Sequence, residues 1–340
     1  MASRYPEVLR RVAALLGRLE TILAILIVVA AIWCTSLSPY FLTGRNLAGF
    51  TGPYVPTGIL ALGLLLVITA GDIDISFVSN MVASASCFAV LYQQGIGVWP
   101  AALLGVAVGT ILGLVNGVLV SVLGVSSLAI TLGTLAAYSG LAAALLGPGG
   151  VSGFPESFTV IGLGRLGNLP VPIVILAFVA IFMAVMLHTT RWGRYVFAVG
   201  SNREVARLSG VPVTLVTLCV FAVLGMLSGL SGLVFTAQYS IRADAGAGIL
   251  ITAVAVVVLG GTDIFGGRGS VLGVVLAFVL VCLLRNGMQL ADVNTNVQDI
   301  VISVLIIFAI GIQSIPVERV RSLRGALHRG TAEPSPSGGG

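Results

Sequence analysis

The chain has 340 residues, of which 57% are hydrophobic and only 9% are charged. A soluble globular domain carries about 25% charged residues, so this chain lacks the charge to cover a water-exposed surface of its size. Its net charge is +5, but the basic residues stand between apolar runs. This arrangement argues against nucleic acid as a partner and favours a lipid bilayer.

The residue types that carry chemistry are sparse. All 17 basic residues are arginine. A nucleotide-binding P-loop needs a lysine to reach the phosphates, so ATP hydrolysis that drives this protein would reside in a separate polypeptide. The four cysteines and two histidines are widely spaced, and we see neither a metal site nor a nucleophile–base pair. We therefore predict that the chain is not an enzyme and has no catalytic residue, metal or cofactor.

Long apolar runs follow one another along most of the chain. Because a helix needs about 20 mostly apolar residues to cross the hydrocarbon core, we predict an all-α, polytopic membrane protein with about ten transmembrane helices. The first run has no convincing cleavage site and is predicted to be retained. Polar residues interrupt or flank the third, eighth and tenth runs, so these three are the weakest predictions of a span. The predicted spans are 20–38, 54–70, 75–93, 99–121, 126–147, 171–188, 213–236, 247–262, 270–290 and 297–315.

The arginines divide unequally between the two sides of this domain. An even number of spans puts both termini on one side, and by the positive-inside rule the side richer in arginine is cytoplasmic. The predicted parts are a cytoplasmic N-terminal segment 1–19, a transmembrane domain 20–316, and a cytoplasmic, partly disordered tail 317–340. Outside fall Arg45, Arg165 and Arg242, and Arg285 lies within a span. Inside fall thirteen: Arg4, Arg10, Arg11, Arg18, Arg191, Arg194, Arg203, Arg207, Arg268, Arg319, Arg321, Arg324 and Arg329.

Two segments of similar pattern end the second and eighth spans, VITAGDIDISFVSN and VVLGGTDIFGGRGS. Paired interruptions in corresponding positions point to the functional centre of a transporter. We predict that the two segments form an internal repeat and approach one another near the central pathway. Ordinary Gly-rich turns between helices are the alternative. Asp74 either caps the next helix or positions its loop at the pathway.

Two further patterns concern the interior of the spans. Glycines recur every four residues from Gly105 to Gly117, a spacing that lets helix backbones approach closely in lipid. Arg285 and Asp299 are both predicted in the outer half, where an isolated charge is expensive. They either pair with each other or belong to the pathway.

The polar connection 189–212 is the longest one predicted on the cytoplasmic side. Asn202 is predicted to cap a short amphipathic helix, Arg203 to Leu208, that ends at Gly210 and Pro212. Such a helix can dock a soluble partner, or it can lie on lipid headgroups.

Four motifs of the sequence resemble those of a known family. GRYVFAVGSNREVARLSGVPV is similar to the cytoplasmic loop of ribose/xylose/arabinose-type ABC importer permeases, and GDIDIS, LVNGVLV…ITLGT and GGTDIFGGRGSVLG resemble further motifs of that family. The resemblance extends from about Phe41 to Ile315. The sequence departs from the family at Asp72, where the usual GGIDLS has its second glycine, and at Ser126–Ser127, where a proline is frequent.

The resemblance implies a type II-like ABC importer permease in the plasma (inner) membrane of a bacterium. Its implied partners are a cytoplasmic ATPase that grips the loop, a second permease chain that is identical or different, and an extracytoplasmic solute-binding protein. ISFVSN, SGFPESFT, SIRADAG and NGMQLADVN are most similar to permeases for rhamnose and for the furanosyl signal autoinducer-2. A pentose is a further possibility, and an ion-gradient-driven secondary transporter is the alternative function.

The matching motifs give two sets of candidate residues. Those expected to couple the permease to the ATPase are Asn202, Arg203, Glu204, Ala206, Arg207, Leu208 and Gly210. Those expected to line the translocation pathway are Asp72, Asp74, Ser76, Phe77, Asn80, Asn116, Thr131, Thr134, Asp263 and Phe265.

Overall fold

A computed structural model describes residues 19–246 and 248–313. An α-helix lies at each of the ten predicted spans, which confirms an all-α polytopic architecture. The predicted N-terminal segment and tail, with their arginines, lie outside the described residues. The helices are α1 (Leu19–Leu37), α2 (Gly44–Leu47), α3 (Val55–Thr69), α4 (Phe77–Gln93), α5 (Val98–Ser121), α6 (Ser127–Leu146), α7 (Glu156–Leu163), α8 (Val171–Thr189), α9 (Arg191–Ser201), α10 (Arg203–Leu208), α11 (Val213–Gln238), α12 (Ile249–Leu259), α13 (Val271–Leu290) and α14 (Thr295–Gln313).

Seven of these helices are long and apolar enough to cross a membrane, by length and composition. At the other three predicted spans lie α4, α12 and α14, of which α4 and α12 are shorter and α14 was assessed over Thr295–Leu305 alone. These are the third, eighth and tenth spans, at which the sequence pattern is weakest. The number of spans and the side on which the termini lie stay predictions.

Helix α3 is the centre of the bundle. With its preceding 3₁₀ turn, Gly52–Tyr54, it is 89% buried. Its sequence is apolar on every side, and a helix of that kind is stable only when other helices surround it. Helices α9, α11, α12, α13 and α8 pack against it. By contrast α1, α6 and α8 are only 17–22% buried, so their apolar side chains are available to lipid or to another chain.

Helices α5 and α11 cross at a seam of glycines. A Cβ atom added to Gly113 would stand 2.9 Å from the Cα atom of Gly225, and one added to Gly109 would stand 3.0 Å from that of Gly229. The backbones are therefore in direct contact. This confirms that the four-residue glycine spacing serves helix packing.

The sequence pattern missed several elements outside the spans. Helix α7 and a two-stranded hairpin, β1 (Arg165–Leu166) and β2 (Leu169–Pro170), occupy the predicted outer connection 148–170. That connection is joined to the one after α11 by a pair of backbone hydrogen bonds between Val151 and Ile241, of 2.9 and 3.0 Å. Helix α9, which precedes the predicted helix α10, was also not predicted.

Candidate functional site

Three connections meet at one end of the bundle, at the C-terminal ends of α3, α9 and α12. The amide of Gly267 donates a hydrogen bond of 2.9 Å to the carbonyl of Thr69. A Cβ atom on Gly266 would stand 2.7 Å from the Cα atom of Gly71, and one on Gly200 would collide with the carbonyl of Thr69. We call residues 69–72, 200–203 and 260–268 the junction. The predicted approach of GDIDIS to GGTDIFGGRGS is confirmed; their position on a pathway stays a prediction.

Helices α3 and α12 end in the same turn. In each, a glycine of positive φ, Gly71 (79°) or Gly261 (80°), is the second residue after the end of the helix. The next amide, that of Asp72 or Thr262, reaches back to the carbonyl of Val67 or Val257, at 3.1 and 3.3 Å. This double closure is the Schellman motif, and a third to a half of helices end with a residue in that left-handed conformation. The two segments are thus similar in backbone conformation as well as in sequence. An internal repeat of larger extent stays a prediction.

Asp72 joins the junction to α10 through an ion pair with Arg203, the first residue of that helix. The Asp72 side chain is buried, whereas that of Arg203 is 42% exposed. Burial raises the pKa of Asp72, and the neighbouring Arg203 guanidinium acts against that rise. Arg203, which we predicted to contact an ATPase, therefore also holds a loop of its own chain.

Asp74 is the centre of a buried network that connects the same loop to α5 and α6. Its Oδ1 atom accepts hydrogen bonds from the amide and hydroxyl of Ser76, at 2.6 and 2.7 Å. Asn116 of α5 donates to the Ser76 hydroxyl at 2.8 Å, and its own Oδ1 lies 3.1 Å from the hydroxyl of Tyr138 of α6. Because Asp74 lies three residues before α4, it positions the loop more than it caps the helix. Nothing in the pattern around Tyr138 had pointed to it.

Residues of α6 hold the loop from its other side. The amide of Ile73 donates to the hydroxyl of Ser127 at 3.1 Å, and the hydroxyl of Thr131 lies 3.3 Å from the carbonyl of Ile73. Asp72 and Ser127 are two of the positions at which this sequence departs from the family it resembles. One departure therefore lies in the 71–76 loop, and the other contacts it.

The remaining candidates for the pathway divide into two groups. Phe77 is fully buried, the Asn80 amide donates to the carbonyl of Gly109 at 3.0 Å, and the Thr134 hydroxyl is buried without a partner in the described part of the chain. Asp263 is half-buried and accepts from the amide of Phe265 at 3.0 Å, and Phe265 is 90% exposed. The structure therefore places five candidates in or against the 71–76 loop and leaves Asp263 and Phe265 at the surface of the junction; the five are Asp72, Asp74, Ser76, Asn116 and Thr131.

Helix α10 is a short exposed helix on a fixed base. As predicted, the side chain of Asn202 caps it by accepting from the amide of Val205 at 3.0 Å, and Gly210 beyond its end has a φ of 81°. Glu204 and Arg207 form an exposed ion pair of 2.8 Å. Leu208 is 79% exposed, whereas Ala206 is buried against the bundle. The outward face thus carries both charge and an apolar tip, and Ala206 is not available to a partner.

The Arg285–Asp299 pair lies at the opposite end of the bundle. Its atoms are 2.8 Å apart, which confirms the predicted pairing. Arg285 also donates to the hydroxyl of Thr252 at 2.8 Å. Among the described residues no group of His, Cys, Asp or Glu side chains has the arrangement of a metal site.

Comparison with known proteins agrees with this architecture. The family described as branched-chain amino acid transport system / permease component matches residues 46–310. The chain is 34% identical over 307 residues to the autoinducer 2 import system permease protein LsrD of Klebsiella pneumoniae subsp. pneumoniae, covering 88% of this chain and 92% of that protein. It is 36% identical over 276 residues to the LsrD protein of Yersinia pestis (strain Pestoides F), covering 79% of this chain and 83% of that protein. No solved structure matches the chain.

Proposed function

Because this chain belongs to the family of permease components of branched-chain amino acid transport systems, we propose that it is the translocating subunit of an importer for a small, sugar-like solute related to autoinducer-2. It is a multi-pass protein of the bacterial inner membrane and a transport component, not an enzyme. As the permease of an ABC importer it works with an ATPase and a solute-binding protein. The relatives named for autoinducer-2 import support the choice of solute.

We propose that α10 is the contact through which the ATPase drives the permease. The observation that carries this proposal is the ion pair between Asp72 and Arg203. A displacement of α10 is passed directly to the 71–76 loop, and through Asp74 and Asn116 to α5 and α6. A stiff contact is needed for this, since a flexible loop would absorb the motion. The residues around the 71–76 loop are accordingly proposed to line the pathway.

We propose that a second permease chain completes the pathway, either a copy of this chain or a different one. Helix α6 supports this proposal because it is only 17% buried. It presents exposed Leu128 and Leu132 beside Thr131, which contacts the proposed pathway loop. Apolar surface alone fits lipid equally well, and what favours a second chain at this helix is the polar contact of Thr131 with the proposed pathway loop.

Replacing Glu204 and Arg207 together with alanine tests the coupling role. Exposed ion pairs contribute about 0–1 kcal/mol to stability, so the permease should still fold. We expect the variant to lose ATPase co-purification, or to hydrolyse ATP without uptake in proteoliposomes. The matched control is Arg242→Ala with Asp244→Ala, an exposed ion pair of 3.3 Å in a predicted outer connection. Undiminished ATPase recovery together with normal uptake would contradict the proposal.

The same proteoliposomes test the alternative of an ion-gradient-driven transporter. We expect uptake to stop when ATP is withheld and to be unchanged when proton or sodium gradients are collapsed. A helix that only lies on headgroups would give a different result for the Glu204/Arg207 variant, namely weaker contact with anionic vesicles and intact ATPase association.

A further inference from the structure

A polar pocket lies at the predicted outer end of the bundle, opposite the junction. Its volume is about 300 Å³, at the lower limit of the ~300–1,000 Å³ that is usual for ligand sites, so it suits a small solute. Helices α3, α11, α12, α13 and α14 all contribute to its wall. We call this site the outer pocket, and its polar lining residues are Tyr54, Thr57, Tyr239, Thr252, Arg285, Thr295 and Asp299.

Arg285 places a buried, paired guanidinium in the wall of the outer pocket. The side chain is nine-tenths buried, and one terminal nitrogen serves both Thr252 and Asp299 at 2.8 Å. Its Nε atom is buried and has no hydrogen-bond partner in the part of the chain that the structure describes. An unsatisfied buried donor costs roughly 1–3 kcal/mol. The member of the pair that a ligand in the pocket can reach is Asp299, because its side chain is 42% exposed.

The charges and hydroxyls of the outer pocket define the chemistry of the ligand. The positive charge of Arg285 is balanced by Asp299, whose side chain is 42% exposed and can accept a further hydrogen bond. A balanced pair favours an uncharged ligand, because an anion would be repelled by the carboxylate and a cation by the guanidinium. The hydroxyls of Tyr54 and Thr57 line the same wall. Hydroxyls both donate and accept, so they match a ligand that is itself rich in hydroxyls.

An aromatic wall completes the site. The rings of Phe235 and Tyr239 have centroids 5.2 Å apart, and both residues line the pocket. Ligand sites commonly combine such apolar surface with a few placed polar groups. The C–H face of a sugar ring fits apolar surface while its hydroxyls reach the polar side.

We propose that the outer pocket is the site at which the permease accepts its solute, an uncharged polyhydroxylated molecule of the size of a furanose or a small hexose. One ligand hydroxyl would donate to the carboxylate of Asp299, and its neighbours would reach the hydroxyls of Tyr54 and Thr57. Exposed Thr295 lies at the rim, in a connection predicted to face outwards, where a binding protein can release its cargo. This inference rests on the proposed transport function and deepens it.

Site-directed labelling tests the outer pocket without relying on uptake. The four cysteines of the permease chain are replaced, and Thr295→Cys is introduced. The complete importer is then reacted with a membrane-impermeant maleimide. The probes are autoinducer-2, rhamnose and ribose at millimolar concentration, without ATP. We expect at least one probe to slow labelling several-fold. Val297→Cys is the matched control, because Val297 is 47% exposed on the same helix and does not line the pocket; its labelling rate should not change.

A second pair of variants links this protection to the pocket's hydroxyls. Tyr54→Phe combined with Thr57→Val removes two hydroxyls with little change in shape. We expect it to abolish protection of Thr295→Cys and to raise the half-saturating solute concentration for uptake several-fold. Tyr92→Phe is the control, since Tyr92 packs on Phe154 with ring centroids 5.4 Å apart and lies outside the pocket.

The outcomes separate this inference from the function on which it rests. Absence of protection by all three probes, or protection that persists in the double variant, overturns the outer pocket as a solute site. If ATP-dependent uptake is normal in that case, the importer function stands. If the unmodified importer takes up none of the probes with ATP present, the proposed solute class and the outer pocket both fail.

Discussion

The carboxyl group of Asp74 shows how a single buried residue can organise a connection between helices. It is almost completely buried, and in the described part of the chain its contacts are to hydroxyl, amide and backbone N–H groups, not to a basic side chain. Both the amide and the hydroxyl of Ser76 donate to it, and Asn116 makes a longer contact of 3.4 Å. Removing it therefore strands several donors at once, which costs more than losing one hydrogen bond.

We expect Asp74→Ala to lower the free energy of unfolding by at least about 2 kcal/mol, since more than one buried donor loses its acceptor. Asp74→Asn keeps the shape and one acceptor oxygen and should cost less. Exposed Asp244→Ala should have almost no effect. Thermal unfolding midpoints of the purified permease in detergent would show this order. A midpoint of Asp74→Ala equal to that of the unmodified protein would mean that the network does not hold the loop.

The Asp72–Arg203 pair is asymmetric, and its two halves should respond differently to substitution. Arg203→Gln leaves a buried carboxylate without its partner, whereas Asp72→Asn leaves only a partly exposed guanidinium. We expect Arg203→Gln to be the more destabilising change. The loss should stay below the about 3–5 kcal/mol that accompanies breaking a fully buried pair. The double variant should resemble Asp72→Asn alone, because the stranded charge is gone.

Uptake per ATP hydrolysed should fall more in Arg203→Gln than in Asp72→Asn or in the double variant. Arg203→Lys should recover part of it. Because burial raises the pKa of Asp72, its charge is present above that pKa and is lost as the pH falls through it. The difference between the unmodified protein and Asp72→Asn should therefore shrink at acid pH. Strictly additive single and double effects would show that Arg203 does not act through Asp72.

At the scale of the helices, the seam between α5 and α11 depends on residues without side chains. A Cβ atom on Gly225 would meet the Gly109 carbonyl and stand 2.9 Å from the Cα atom of Gly113. Those are backbone atoms, which cannot turn aside as a side chain does. A larger residue must therefore separate the two helices.

We expect Gly225→Val to lower stability by about 1–3 kcal/mol, the usual cost of overpacking. The matched control is Gly133→Ala in α6, where an added Cβ atom would have nothing within 4 Å. That variant should keep its thermal midpoint or raise it slightly, because alanine is the better helix former. Equal midpoints for the two variants would contradict a tight seam.

The helices at the ten predicted spans could be predicted from the sequence because apolar length alone decides where they lie, and each begins within two residues of its predicted start. Helix α9 was missed because its sequence, RWGRYVFAVGS, is amphipathic and not uniformly apolar. In the site, the approach of the two Gly-rich loops was predicted from their similar patterns. The Asp72–Arg203 pair was not, since its members are 131 residues apart. Neither local periodicity nor spacing carries information about such a contact.

At the scale of the whole molecule, the two ends of the bundle differ in charge and construction. The junction and α10 lie on the side predicted to be cytoplasmic, and the outer pocket lies on the other. If this orientation holds, residues exposed at the two ends must differ in their access to reagents that cannot cross a membrane. Leu208 and Phe265 mark one end, and Tyr40 and Asp244 mark the other.

We expect single cysteines at Leu208 and Phe265 to react with an impermeant maleimide only after intact cells are permeabilised. Single cysteines at Tyr40 and Asp244 should react in intact cells. Both pairs are placed in a background without the native cysteines, and membrane levels are matched by immunoblotting. Labelling of Phe265→Cys from outside would overturn the predicted orientation of the bundle.

The glycine contacts of the junction make that end of the molecule less tolerant of amino-acid substitution than the other end. Gly71, Gly200 and Gly266 touch main chain, so any side chain added there disturbs three connections together. The outer pocket is lined mainly by side chains. Under the proposals made above, a change of cargo would call for new side chains at the outer end, and the glycine contacts of the junction could stay as they are. Grafting the outer ends of α11, α12 and α14 between related importers is accordingly the natural route to retargeting one.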